Sequence, residues 1–457
     1  MSELSDPVDR AATPVVQETP IRKVAAACLA GTTIEFYDFF IYGTAAALVF
    51  PKLFFPQVSP FIGTLLAFAS FGVGFVARPL GGAIFGHFGD RLGRKKMLVI
   101  SLMMMGLSTI AIGALPTYAT AGLLAPTLLV ALRLIQGVAV GGEWGGAVLM
   151  AVEHSAPERR GFYGSWPQAG APLGTFLATG AFFLVSLLPE EQFLAYGWRI
   201  PFLASALLIV VGLIVRLRVT ESPAFQVLRA QQTESRTPLV EVFRGSPRQV
   251  FLVAGAFLVQ SAVVYIFISY LASYGTAVVG VDRPTILAVI MLSAVVSTIA
   301  HIAFGALSDR VGRKPVYLAG VIAMGVLIFP AFALFNTGNF ALMVVSHVLI
   351  FGLALSLAGG PTAAMFSEMF ATRVRYSGAS VGYQLAGVFG AALSPIVATT
   401  LLETTGTWVS IAVYLSAMAV VSLIAVLLMP ESRGADLLAE DQSAPSSSTT
   451  PSGSALG

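Results

Sequence analysis

The sequence predicts an all-α membrane protein: twelve transmembrane helices in two pseudo-symmetric six-helix bundles. Three observations carry this. The chain of 457 residues is 56% hydrophobic and only 11% charged, where soluble domains carry roughly 25% charged residues. Twelve segments are long and apolar enough to span a bilayer, which takes about 20 residues each. The stretch Gly86-His-Phe-Gly-Asp-Arg-Leu-Gly-Arg-Lys95 returns, weakened, 219 residues later as Gly305-Ala-Leu-Ser-Asp-Arg-Val-Gly-Arg-Lys314. A duplicated basic hairpin between apolar segments, offset by nearly half the chain, is the layout of a secondary transporter built from repeats.

The spans fall at about 24–49, 61–86, 97–115, 122–150, 162–188, 199–219, 250–278, 285–307, 316–335, 340–366, 379–402 and 407–429, with Gly and Pro punctuating many of them as membrane helices allow. This divides the chain into an N-terminal tail (1–22), a first bundle (23–219), a polar linker (220–249), a second bundle (250–430) and a Ser/Pro/Gly-rich tail (431–457) read as disordered. The first residues are polar and hold no apolar core, so no cleavable signal peptide is expected. Of the 26 Lys and Arg, twenty-one lie in segments on one side of the membrane, three (Lys52, Arg199, Arg283) on the other, and Arg78 and Arg133 inside helices. The positive-inside rule then places both termini in the cytoplasm of a multi-pass protein of the cell membrane.

Further echoes support duplication. Arg159-Arg160 follows helix 4 and Arg373-Val-Arg375 follows helix 10; Glu221-Ser222 follows helix 6 and Glu431-Ser432 follows helix 12. A net charge of +3 is too small to imply nucleic-acid binding, and a single cysteine, Cys28, excludes an intrachain disulfide. No Walker loop, metal-ligand cluster or Ser/His/Asp set stands out, so no enzyme activity, metal or cofactor is expected. The proton gradient is the expected driving force, the lipid bilayer the expected surroundings and a monomer the expected state.

The hairpin Gly86 to Lys95 resembles the loop signature of the major facilitator superfamily between helices 2 and 3, degraded again between 8 and 9. The run Arg133-Leu-Ile-Gln136-Gly137-Val-Ala-Val-Gly141 resembles its helix 4 motif. More narrowly, Glu35-Phe-Tyr-Asp38-Phe-Phe, Ala77-Arg78-Pro79-Leu80-Gly81-Gly82 and Gly141-Gly-Glu-Trp-Gly-Gly146 resemble the metabolite:proton symporter family. The resemblance covers nearly all of 24–433 and implies the major facilitator fold. It also implies proton-coupled uptake, by alternating access, of a small organic acid such as shikimate, α-ketoglutarate or citrate. A sugar porter or a proline/betaine-type osmolyte carrier is the alternative. The long C-terminal extension of the proline/betaine branch is missing, and Phe36 stands where many members have Trp. Gly170-Ala-Pro-Leu-Gly174 only partly resembles an antiporter motif, so symport stands. Sugar sites are commonly amide-rich, whereas the only asparagines, Asn336 and Asn339, lie in one turn.

Ionisable residues inside a membrane helix are functional candidates by default: Glu35, Asp38, Arg78, Arg133 and Glu143, all in the first half. From a rise of about 1.5 Å per residue, Glu35 and Asp38 stand roughly 18 and 22 Å above the inner edge, Arg133 roughly 27 Å, and Arg78 and Glu143 about 12 Å. Depth therefore pairs Asp38 with Arg133 and Arg78 with Glu143. Glu35, Asp38 and Tyr42 share a helix face, as do Arg133, Gln136 and Glu143, and both stripes are expected to face a central cavity. A carboxylate beside an arginine loses its proton when the pair forms and regains it when substrate claims the arginine. Asp38, then Glu35, is accordingly the expected proton site, with Arg133 its partner; a permanent bridge between helices 1 and 4 is the other reading. Arg133 or Arg78 is expected to hold a substrate carboxylate through its planar fork. Gln136, Trp166, Gln168, Gln260, Tyr265, Tyr383 and Gln384 are candidates for the remaining wall, while His301 and His347 read as packing or surface groups near opposite membrane faces. Asp90 and Asp309 end helices 2 and 8, where each can accept hydrogen bonds from a neighbouring helix N-terminus. With Arg91, Arg94, Arg310 and Arg313 they are expected to form an inner latch, to which Glu143 adds a gating contact.

Overall fold

The computed structural model describes residues 20–92, 94–141, 144–218, 242, 244–370 and 375–434. Helices α1 (Ile21–Leu48), α2 (Pro60–Leu92), α3 (Arg94–Ala114), α4 (Leu124–Val140, continued by Trp144–Glu153), α5 (Arg160–Ser186) and α6 (Arg199–Arg218) make the first half. The second half holds α7 (Pro247–Val279), α8 (Arg283–Val311), α9 (Arg313–Phe335), α10 (Phe340–Ser367), α11 (Ser377–Thr405) and α12 (Val409–Leu428). No strand occurs among the described residues. Nine of these helices are long and apolar enough to cross a membrane, and α6 with the short helical stretch before it makes a tenth span bent by 42°. The apolar parts of α3 (Val99–Ala114) and α4 (Leu124–Val140) are shorter. The expected linker lies largely outside the described residues, as do most of both tails, but α7 already begins at Pro247. Glu431 and Ser432, read from sequence as tail, are held against the protein: the Glu431 carboxylate accepts the Arg313 and Lys314 backbone N–H groups at 2.9 and 3.0 Å.

Large apolar side chains such as Leu207, Ile299 and Val326 are about two-thirds exposed. In a chain of this composition they face lipid, where every backbone polar group must be satisfied within its own helix. Between the halves, α5 packs along α8 and α2 against α11. Exchanging each helix for the one six places away converts the first pairing into the second, which is the pseudo-symmetry that the repeated hairpin implies. π-helical turns interrupt α7 (Ile266–Tyr270 and Gly275–Val279), α10 (Val348–Ala354) and α11 (Gly387–Ala392). Such turns rotate the following residues relative to the α-helical phase and concentrate at functional sites. Here Ile268, Phe351 and Gly387, one from each helix, line the same cavity.

Candidate functional site

That cavity lies between the two halves and has a volume of about 60 Å³. Its wall is aromatic (Phe36, Phe40, Phe75, Phe257, Tyr265, Tyr383), with Arg78, Gln168, Gln260 and His301 as polar members. Gln260 is engaged: its amide donates to the Leu355 carbonyl and its oxygen accepts from Tyr317 and Thr362, each at 3.4 Å. Arg78 is buried. Its guanidinium carbon stands 4.6 and 4.4 Å from the ring centres of Phe39 and Phe75, its side chain hydrogen-bonds Tyr265, and its Nε has no hydrogen-bond partner. Glu35 lies close enough to act electrostatically on both Tyr265 and Tyr383.

Glycines bring the two membrane arginines together. A Cβ at Gly81 would stand 1.9 Å from the Val138 carbonyl oxygen, one at Gly137 2.2 Å from that of Gly74, and one at Gly141 2.0 Å from that of Arg78. Helices α2 and α4 therefore touch backbone to backbone, the close approach that small residues permit in membranes. Gly74 also leaves the space that the Arg133 guanidinium fills, since a Cβ there would come within 2.7 Å of Nε. Arg133 stacks on Phe39, Tyr42 and Phe71 at 4.3, 4.3 and 4.8 Å. Phe39 thus serves both guanidiniums, a cation–π arrangement strengthened by the loss of water.

Asp38 and Arg133 do not pair directly, contrary to the depth argument. Ser205 Oγ donates to Asp38 Oδ1 at 2.6 Å, and the Thr109 hydroxyl, which donates to the Met105 carbonyl at 3.0 Å, lies close enough to act on the same carboxyl. Arg133 instead donates Nη1 to Gln136 Oε1 at 3.1 Å, and Gln136 Nε2 donates to Thr109 Oγ1 at 2.7 Å. Depth was matched, but helix phase was not. Phe36 and Phe40, one turn apart, take the cavity face of α1. At about 100° per residue, Asp38 is rotated away from them toward α3 and α6, and Tyr42 turns to α2, where it hydrogen-bonds Ser70 at 2.8 Å. Asp38 and Tyr42 face the interior of the first bundle and leave the cavity to their aromatic neighbours, while Glu35 lies nearer the cavity tyrosines.

The same phase reasoning sorts the other candidates. Gln168, Ala171, Pro172 and Thr175 form the cavity face of α5, and Tyr383 and Gly387 that of α11. Trp166 and Gln384 fall off those faces, and Arg133 and Gln136 lie behind the aromatic wall. Of the sequence candidates the structure brings Arg78, Gln168, Gln260, Tyr265 and Tyr383 to the cavity. His301 joins them instead of lying near a membrane face. His347 is packed between Phe267 and Phe335. Glu143 and the side chains of Asp90, Arg91 and Arg94 lie outside what the structure describes.

The two halves meet on both sides of the cavity. On the face carrying the basic loops, both Asp309 carboxylate oxygens accept backbone N–H groups at the N-terminus of α5, from Gly161 and Phe162 at 2.9 and 2.8 Å. An anion is favoured at that position by the unpaired N–H groups and the helix dipole. Arg313 Nη1 donates to Asp309 at 2.6 Å and its Nε lies 3.5 Å from Glu368. Arg160 Nη1 is 3.9 Å from Glu368 and Arg375 Nη1 3.7 Å from Glu153. Burial pushes the Glu368 carboxyl above its ordinary range, opposed by Arg313, the Ser432 hydroxyl and Arg160. Arg310, expected in the latch, is exposed, and its carbonyl rather than its side chain is used, by Arg433 at 2.7 Å. Gly312 ends α8 between the two, and Arg313, the first residue of α9, is buried. On the opposite face small residues make the contact: a Cβ at Gly72 would stand 3.4 Å from Ala392, and one at Gly43 2.5 Å from Ser269 Oγ. Sequence reasoning missed Thr109, Ser205 and Glu368. Only Glu368 had a signal, as an acid at the end of a helix facing the basic pair Arg159-Arg160.

A family model described as Major Facilitator Superfamily matches residues 28–380 and 278–454. An inner membrane metabolite transport protein of Escherichia coli is 43% identical over 427 residues, covering 91% of this chain and 96% of its own length. The shikimate transporter of the same organism is 42% identical over 418 residues, with 91% and 95% covered. Among solved structures, a D-xylose-proton symporter superposes with a TM-score of 0.72 at 17% identity, covering 92% of this chain and 100% of that one; at that identity the likeness concerns the fold.

Proposed function

This chain belongs to the Major Facilitator Superfamily, and on that premise we propose that it is a proton-coupled symporter that takes up a small organic acid by alternating access. It is a multi-pass membrane transporter, not an enzyme. By the positive-inside rule the basic face is cytoplasmic. The observation that carries the substrate reading is Arg78, a buried guanidinium on the cavity wall with an unpaired Nε. A buried cation is costly unless an anion meets it, and a carboxylate meets this one with charge-assisted hydrogen bonds. Shikimate, carried by one of the relatives, is such an acid.

Charge accounts for coupling. Arg78 and Arg133 are offset by Glu35 and Asp38 when both carboxyls are ionised. Protonating one carboxyl leaves a net positive charge near the cavity, which an anionic substrate neutralises; removing substrate and proton together restores balance. Asp38 is the proposed proton site, because its carboxylate is joined to Arg133 through Thr109 and Gln136. Glu35, beside the two cavity tyrosines, is the second candidate. Asp309 and its partners act as the cytoplasmic latch. In alternating access the halves part on one face at a time to load and release the substrate.

The aromatic wall favours a second reading, an osmolyte carrying both carboxylate and quaternary ammonium, since aromatic faces hold such cations. Uptake by proteoliposomes of radiolabelled shikimate, α-ketoglutarate, citrate, glycine betaine and glucose, with and without an inward proton gradient, separates the readings. An acid should accumulate only with the gradient. Arg78→Lys, which keeps charge but loses the fork, should weaken it about tenfold, ~1.4 kcal/mol. Equal competition by an acid and its neutral amide would refute the anion reading, and loss of binding in Arg133→Lys but not Arg78→Lys would move the anchor to Arg133.

A further inference from the structure

Helices α5 and α8 pack together across the two halves and run antiparallel, so their contact has two distinct ends. At the basic end they touch through small residues: a Cβ at Gly161 would stand 2.5 Å from the Gly305 carbonyl oxygen, and Asp309 caps α5 there. Toward the other end a side chain sets the spacing, since a Cβ at Gly180 would meet Met291 Cε at 3.4 Å. Methionine is unbranched and adapts to its surroundings, so it holds that end less firmly than backbone contact holds the first. Beyond this looser end a charged contact crosses between the halves. Arg283, the first residue of α8, places its guanidinium carbon 4.2 Å from the ring centre of Phe193. Phe193 belongs to the first half and opens a π-helical turn (Phe193–Gly197) between α5 and α6. The ring is fully buried and Arg283 half-buried, so the guanidinium is a lid over the ring. Glu190 lies near enough for Arg283 to act on its carboxylate, and Lys52 holds that carboxylate at 2.7 Å. This last pair lies within the first half with both side chains more than half exposed, and such pairs contribute little. Arg199 is spent on the Gly113 and Leu115 carbonyls of its own half. Among the described residues Arg283 is therefore the one cation that reaches across on this face.

A guanidinium over an aromatic face is attracted by the electron-rich ring, the more so where water is excluded. Parting the halves on this side uncovers Phe193 and breaks the contact. We propose that Arg283 and Phe193 form an outer clasp, the counterpart at one end of the α5–α8 pair of the Asp309 contact at the other, which holds the outward face shut while the basic face opens. The proposal rests on alternating access and not on which cargo is carried. It gives the looser end of the helix pair a fastening of its own. The two fastenings differ in kind, a carboxylate on backbone N–H groups at one end and a guanidinium on a ring at the other, so each can be removed without touching the other.

The test reads nitroxide distances across the outward face of the full-length protein in nanodiscs, with one label on each half and both away from the clasp. Arg283→Gln removes the cation from a half-buried position and should raise the ratio of open to closed protein about two- to fivefold, as expected for a partly exposed cation–π contact. Phe193→Leu, which keeps an apolar side chain without the ring, should do the same. The double variant should go no further than either single one, because both remove one shared contact. Arg283→Lys keeps the charge but not the planar group and should fall between Arg283→Gln and the wild type. Lys52→Gln leaves guanidinium and ring in place and should not move the ratio. An unchanged ratio in Arg283→Gln would overturn the clasp, and this decides the matter if Phe193→Leu does not fold. So would a double variant whose shift is the product of the single shifts, or a shift in Lys52→Gln as large as in Arg283→Gln, which would give the closure to the ion pair instead. A single distance in the wild type and in every variant, with Asp309→Asn at the basic face equally without effect, would remove alternating access together with the clasp.

Discussion

Asp38 and Arg133 are connected through two intervening side chains, Gln136 and Thr109, rather than by an ion pair. A direct bridge would hold the two charges in one arrangement. The guanidinium can only donate, so the Gln136 amide is held with its oxygen toward Arg133 and its nitrogen toward Thr109; neutral side chains of fixed orientation stand between the two charges. Buried networks of this kind polarise along their length, and each member depends on the others being satisfied.

The first prediction follows from the placement of Asp38. Asp38→Asn preserves shape and removes the titrating proton. It should abolish accumulation against a concentration gradient while leaving substrate exchange across the membrane. Concentrative uptake by the mutant under an inward proton gradient would show that the coupling proton resides elsewhere, with Glu35 the next residue to test.

Thr109→Val isolates the connection from the charge. It removes the hydroxyl that meets both Asp38 and Gln136 with almost no change in volume. Leaving a buried polar group unsatisfied costs about 1–3 kcal/mol, so the ratio of accumulated to external substrate should fall about 5- to 150-fold at the same proton gradient. Arg133 remains stacked on its three rings, and counterflow should persist. Wild-type accumulation would show that Asp38 and Arg133 are not linked through this hydroxyl.

At the basic face, Asp309→Asn leaves a single oxygen for two backbone N–H groups and removes the charge facing Arg313. Spin-label distances across that face should show a larger open fraction than in the wild type, with turnover slowed and substrate affinity less affected. An unchanged distance distribution together with an unchanged rate would mean that this capping contact does not hold the face shut.

Two glycine substitutions on α2 should part company. Gly81→Ala drives a methyl into the Val138 carbonyl, a backbone atom that cannot step aside, and overpacking of this kind costs about 1–3 kcal/mol or more. Gly72→Ala meets Ala392 at 3.4 Å, ordinary contact distance. In detergent, Gly81→Ala should lower the melting temperature by several degrees and Gly72→Ala should not. Equal melting temperatures would contradict the backbone contact between α2 and α4.

The spans, the side carrying the basic loops and the duplicated hairpin were legible because each is written in long runs of one chemistry. The expected pairing of Asp38 with Arg133 rested on depth, which rise per residue supplies. It failed on rotation, because the face that α1 presents to the cavity is decided by Phe36 and Phe40, and sequence alone cannot rank aromatic against polar stripes. Thr109 and Ser205 were invisible for a different reason: single hydroxyls are common in membrane helices and here gain meaning only from what a third helix brings near. His301 was misplaced because its surroundings are set by α10, whose Ser356 and Gly359 stand against its ring, and that neighbour is not visible along α8 itself.

The contacts on the two sides of the cavity differ in what they would show to water on opening. Parting the basic face hydrates Asp309, Glu368, Arg160 and Arg313, and exposure of polar groups lowers the heat capacity. Parting the opposite face, where glycine, alanine and aromatic surfaces meet, exposes apolar area and raises it. The two half-reactions of the cycle should therefore bend in opposite directions on a plot of log rate against inverse temperature. Stopped-flow fluorescence from labels on each face can follow them separately, and parallel curves would contradict the asymmetry. With such opposed curvature, the step that limits turnover in the cold need not be the one that limits it in the warm.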